Sequence, residues 1–105
     1  MNVMTISGYT FDGPYSSVAD LCDKSGLYAI LCMIDDGYVL VSVEEASSIL
    51  VSATKHPVVH DSSIQRKLHG KLAFAMYPTP SISQTIRESI RNEIRKECLP
   101  IYGCN

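Results

Sequence analysis

Between Ser81 and Cys98, isoleucines fall at Ile82, Ile86, Ile90 and Ile94, every fourth position, and Glu93 stands among them. That spacing is the apolar stripe of an amphipathic helix. At about 100° per residue Glu93 projects only about 20° from Ile82, inside the stripe. A carboxylate aimed at a core is costly unless it is paired, hydrogen-bonded or bound to a metal. Glu93 is therefore the leading candidate functional group. The alternative is that the margin of the stripe is wet and Glu93 reaches water along its own stem.

The same helix carries a second fourth-residue row, Arg87, Arg91 and Arg95, with Lys96 nearby. As function, this is a face that tracks the phosphates of a nucleic acid. As structure, it is the solvated side of an amphipathic helix, offset by Glu88 and Glu97, and this is the favoured reading. His56, His60 and Asp61 suit zinc by chemistry. Pro57 stops the two histidines from sharing a helical face, so they read as surface-loop residues. His69 beside Gly70 reads as a helix C-terminal residue. Tyr28 and Tyr38 read as a cross-strand aromatic pair. Ser47, Ser48 and Ser52 have no histidine and acid in a hydrolase pattern.

These groups need elements to hold them. Val3 to Thr10 reads as a short extended lead-in, and Asp12-Gly13-Pro14 as turn chemistry. Gly26 to Ile34 is a near-continuous apolar run, which predicts a strand covered on both faces. Asp36-Gly37 predicts a hairpin to a second strand, Tyr38 to Val43. Glu44 to His56 carries helical spacing and is stopped by Pro57. Val58 to Asp61 reads as a linker, and a short helix runs from Ile64 toward Leu68 behind a Ser62-Ser63 cap. Leu72 to Tyr77 is a third apolar strand; Ser81 or Ser83 caps the long helix and Pro100 ends it. The expected fold is α/β or α+β: a small mixed sheet of three to four strands with flanking helices.

At 105 residues the chain reads as one domain, with 1–24 as an N-terminal strand and loop extension. An apolar fraction of 46% and a charged fraction of 19% argue against disorder. The net charge of −2 gives no global attraction to nucleic acid or an anionic membrane. Neither a signal-peptide pattern nor a membrane-length apolar run occurs, so the expectation is a soluble cytoplasmic protein without a membrane role. Cys22, Cys32, Cys98 and Cys104 include no CxxC pair and are expected reduced, with Cys32 as buried packing.

Gly26-Leu27-Tyr28 at the head of the first hairpin strand, Val41-Ser42-Val43 closing the second, the helix ending at His56, Glu93 on the last long helix and Asn105 after a proline together resemble the GIY-YIG nuclease domain. Gly70-Lys71-Leu72 running to Tyr77-Pro78-Thr79-Pro80 resembles a small stand-alone branch of that family. The likeness covers roughly residues 25 to 105. It implies a phosphodiesterase site with Tyr28, Glu93 and Asn105 in catalytic places, and a magnesium ion held by Glu93. Such chemistry needs a hard oxygen ligand and cationic stabilisation of the phosphorane.

The departures are as informative as the matches. Glu44 stands where the second motif should end in glycine, Ser42 where it opens with tyrosine, and Ser52 where the catalytic arginine belongs. Lys55 is the sole cation between Glu44 and Asp61. Loss of a phosphate-neutralising arginine removes much of the transition-state stabilisation. The expected function is thus a degenerate GIY-YIG-like domain that binds nucleic acid or protein. An active magnesium nuclease using Arg66, Lys67 or Lys55 is one alternative; a structural module, associating as a homodimer through its sheet edge, is another.

Overall fold

The computed structural model describes residues 2–68 and 70–101; His69, Cys104 and Asn105 lie outside them. Strands β1 (Val3–Ile6), β2 (Tyr9–Tyr15), β3 (Gly26–Ile34), β4 (Gly37–Ala46) and β5 (Lys71–Pro78) form one sheet in the order β1-β2-β5-β3-β4. Helices α1 (Ile49–Lys55), α2 (Pro57–His60) and α3 (Ser62–Leu68) connect β4 to β5, and α4 (Gln84–Cys98) follows β5.

The expected α/β class is what forms, but the sheet has five strands and every pairing is antiparallel rather than mixed. The chain leaves β4, crosses β3 through three short helices and returns on the far side of β3. There β5 runs parallel to β4 and so antiparallel to β3, its neighbour. The region expected to be a lead-in and loop supplies the other two strands. Its turn is Ser7-Gly8, with φ of 52° and 84°, as a two-residue hairpin turn with both centres left-handed requires. Asp12-Gly13-Pro14 lies inside β2, where the register to β5 is irregular. A Cβ on Gly13 would come within 2.8 Å of the Phe74 carbonyl oxygen, so glycine there permits a close strand approach.

β3 lies between β5 and β4, and its alternation splits the core in two. Tyr28, Ile30 and Cys32 face α1 and α2 with Ile49, Ala53 and Val58. Leu27, Ala29 and Leu31 face the other way, with Phe11, Val43 and Ile94. The apolar run was thus rightly a strand covered on both faces. Gly26 at its head has a steric reason to be glycine: an added Cβ would sit 2.8 Å from Pro78 Cα on β5.

α4 starts at Ser83, whose Oγ accepts the Ile86 N–H at 3.4 Å. It ends where Leu99 turns left-handed (φ 48°). Its inward face is not the isoleucine stripe. Ile94 and Arg87 are buried, Ile90 is half-buried, and Ile86 is 53% exposed. On a helical wheel the inward direction is rotated by about 60° from the stripe's centre toward the arginines. The cause is what flanks the helix. On one side β4 presents Glu44, Glu45 and the Val43 carbonyl, which bond Arg87 and Arg95. On the other, the first hairpin presents the Tyr9 and Ser7 hydroxyls to Glu93 and Glu97. No helix among the described residues is long and apolar enough to cross a membrane.

Candidate functional site

The structure gathers polar side chains on the Tyr28 face of the sheet. Tyr28 comes from β3, Ser42 and Glu44 from β4, Ser52 from α1, and His56 from the junction of α1 and α2. They are brought together because α1 folds back over β3 and β4, seating Ile49 and Ala53 against Ile30 and Val41. A cavity of about 450 Å³ opens beside them, lined by Tyr28, Glu44, Glu45, Ser52, Lys55, His56 and Pro57.

Each polar group in this cluster has a partner. The Tyr28 and Ser52 hydroxyls are hydrogen-bonded at 2.8 Å. Burial pushes the Tyr28 phenol up to about 12, the nearby Glu44 charge adds to this, and the Ser52 bond opposes it. Tyr28 is therefore a neutral phenol at physiological pH. Ser42 Oγ donates to Glu44 Oε2 at 2.7 Å, and His56 Nε2 lies 3.2 Å from Ser42 Oγ and 3.5 Å from that carboxylate oxygen. The other carboxylate oxygen, Oε1, accepts from Arg95 Nη2 at 2.9 Å. Burial raises the Glu44 pKa, but the hydrogen bonds from His56 and Ser42 and the Arg95 charge outweigh it and hold the group below its ordinary range.

His56 decides what chemistry this set can do. Its Nδ1 accepts the Val58 N–H at 3.1 Å, capping α2. A nitrogen that accepts a hydrogen bond carries no proton, so the neutral ring is protonated at Nε2, toward Ser42 and Glu44. Nε2 then has no lone pair to take the Ser42 proton. Ser42, His56 and Glu44 have the residue types of a hydrolytic triad in an arrangement that holds an element end in place, not one that activates a nucleophile.

Of the residues singled out from sequence, Tyr28 lies in this cluster and Glu93 does not. Glu93 is exposed on α4, on the opposite face of the sheet, and accepts from the Tyr9 hydroxyl at 3.0 Å. That bond holds the Tyr9 phenol above its ordinary range. Glu93 is thus hydrogen-bonded and wet rather than aimed into a core, and Asn105 lies outside the described residues. Among the described residues no three histidines, cysteines or acids are grouped as they would be to hold a metal ion.

The arginine row is also rearranged. Arg87 is buried, with Nε on Glu45 at 3.2 Å and Nη1 on the Ile82 carbonyl at 2.7 Å. Arg95 is shared between Glu44 and the Val43 carbonyl at 3.2 Å. Among the described residues Arg91 bonds only its neighbour Asn92, at 3.2 Å. The expected solvated stripe is a pair of ties to β4 with one outward arginine between them. His60 is exposed, and Asp61 accepts from Ser63 N at 2.9 Å, so neither joins His56.

His56 was the residue that sequence reasoning set aside. The overlooked signal is Pro57: proline fits the first position of a new helix, which makes the residue before it a cap. Compared with known proteins, the chain matches no family model, no curated protein and no solved structure.

Proposed function

We propose that this chain is a GIY-YIG-like scaffold that has given up phosphodiester cleavage and acts by binding, with a protein as the favoured partner. The observation that carries the reading is the Tyr28–Ser52 hydrogen bond of 2.8 Å. The resemblance puts a motif tyrosine at Tyr28 and a phosphate-neutralising arginine at Ser52. A hydroxyl now occupies that place and engages the tyrosine. A phosphorane has about two negative charges to stabilise, and neutral hydroxyls cannot replace a guanidinium there.

The remaining charges support the same reading. Among the described residues Lys55 is the one lysine or arginine lining the cavity, and Arg66 and Lys67 do not line it. Glu44 and Glu45 line it as well, and a carboxylate beside a phosphate repels it. Arg87 and Arg95 are committed to those acids, which leaves Arg91 alone of the row for a nucleic acid. A protein partner needs no such cationic track.

The test is a plasmid-nicking assay with magnesium or manganese, run beside retention of labelled DNA and RNA at low salt. The expected outcome is no nicking by wild type and no retention that depends on Arg91. Nicking by wild type that disappears in Tyr28→Phe would overturn the reading.

A further inference from the structure

The two outer strands of the sheet, β1 and β4, line one groove. Its volume is about 450 Å³, and its walls are Met4, Thr5, Ile6 and Ser7 of β1 and Tyr38, Val39 and Leu40 of β4, with Leu31 and Cys98 completing it. The Tyr28 cavity has an entirely different lining, so the two sites are separate.

Antiparallel alternation fixes which main-chain groups face this groove. Ile6 pairs with Tyr9 across the two-residue turn, and Ile34 with Gly37 across the other. These closing pairs exchange hydrogen bonds, so residues one step away point their N–H and C=O outward. On β1 that residue is Thr5; on β4 they are Tyr38 and Leu40. Two observed bonds agree with this phase. Gly13 N donates to Asn2 O at 3.0 Å within the first hairpin, and Ile101 N donates to Leu40 O at 3.2 Å from outside the second. The β4 edge therefore already takes one main-chain partner from this chain. Among the described residues, the outward groups of Thr5 and Tyr38 and the N–H of Leu40 have none.

We propose that this groove binds an extended segment of a partner protein, added as a strand between β1 and β4. The unpaired donor and acceptor of Thr5 on one wall and of Tyr38 on the other match an extended backbone. A helix, whose backbone groups bond internally, offers nothing to pair with them. Leu31, Leu40, Met4 and Ile6 then receive alternate side chains of the segment, which specifies apolar residues at every second position. The apolar surface continues past the groove onto the hairpin tip, where Met33, Ile34, Tyr38 and Val39 are all exposed. This goes beyond the loss of catalysis proposed above and does not depend on it.

The test is selection of a displayed random heptapeptide library on the whole protein, followed by synthesis of the enriched sequence with and without backbone N-methylation. Expected are enriched peptides with apolar residues at alternate positions, and amide shifts with slowed solvent exchange at Thr5 and Tyr38. N-methylation of the peptide, or Tyr38→Pro, should weaken binding at least about tenfold. Proline at this outward edge position removes no bond to β3, and a dispersed amide spectrum checks that Tyr38→Pro is folded. Absence of enrichment, equal binding by the N-methylated peptide, or shifts confined to the Tyr28 cavity would each overturn the proposal. So would protection of these amides by a second copy of the chain, detected as a dimer in sedimentation.

Discussion

Arg95 Nη2 stands 2.9 Å from Glu44 Oε1, and the same guanidinium donates through Nε to the Val43 carbonyl. One side chain thus ties α4 to the edge of β4, and Glu44 hands the link on to Ser42 and His56 on the opposite face. The arginines of α4 should therefore differ in stability rather than in nucleic-acid binding. Arg87→Ala leaves Glu45 without its partner at a site where both side chains are nearly buried, and should cost about 3–5 kcal/mol. Arg95→Ala should cost about 1–2 kcal/mol, since its pair is partly exposed. Arg91→Ala should stay within about 0.5 kcal/mol. Urea unfolding midpoints measure all three. Equal midpoints for Arg87→Ala and Arg91→Ala would contradict the geometry.

Why the sequence pointed to an outward arginine row is instructive. Hydrophobic periodicity located α4, and it located β3 and β5, because those signals are local: four isoleucines at fixed spacing, or an unbroken apolar run. The rotation of α4 about its axis is set by β4 and the first hairpin, whose acids, carbonyl and hydroxyls flank it. No local pattern encodes that. The first hairpin was missed for a different reason: Ser7-Gly8 is a quieter turn signal than Asp12-Gly13-Pro14, which serves a close strand approach instead. In the candidate site, Tyr28 stood out only through a resemblance to a family motif, and Ser42, Glu44 and Ser52 only as departures from that pattern. Their meeting with His56 is a tertiary fact.

Tyr28 supplies an alkaline test. Its phenol is held neutral up to about 12, against an ordinary 10.0 in the unfolded chain. Between those values the unfolded chain loses its proton while the folded chain keeps it. The stability this contributes is complete below pH 10.0 and is lost as pH rises toward about 12. In a spectrophotometric titration of the six tyrosines, Tyr28 should ionise last, and Tyr28→Phe should remove that most alkaline step. Loss of the step from any other tyrosine variant instead would contradict the burial described here.

Glu44 supplies the acid counterpart. Its native pKa lies below the ordinary value of 4.5, so the unfolded chain binds the proton first as pH falls. The associated stability is present above pH 4.5 and declines as pH drops through the native value. Glu44→Gln should be less stable than wild type near neutrality and should show a shallower loss of stability below pH 4.5. Thermal midpoints measured across that range give the comparison; parallel curves would show that Glu44 is not the group responsible.

His56 makes a prediction about protons rather than energies. Because Nδ1 accepts from Val58 N–H at 3.1 Å, ring nitrogen shifts should report the neutral form protonated at Nε2. His56→Asn keeps an acceptor at the cap of α2 and should retain most of the stability that His56→Ala loses, about 1–2 kcal/mol. The other neutral tautomer, protonated at Nδ1, is incompatible with this cap. It would also return to Nε2 the lone pair that a base for Ser42 requires.

The rotation of α4 can be tested with two isoleucines that sequence periodicity treats alike. Ile94 is fully buried among Leu27, Ala29 and Val43, whereas Ile86 is 53% exposed two turns earlier. Ile94→Ala removes packed methylenes and leaves a cavity between α4 and the sheet, so it should cost about 2–5 kcal/mol. Ile86→Ala removes surface already half in water and gains helix propensity, so its effect should be within about 0.5 kcal/mol. If the stripe Ile82, Ile86, Ile90 and Ile94 were the true inward face, the two variants would lose comparable stability. Glu93 would then sit among buried methyl groups, and Glu93→Leu would be strongly stabilising. With the helix turned toward its arginines, Glu93→Leu should instead be nearly neutral, because it loses only an exposed hydrogen bond from Tyr9.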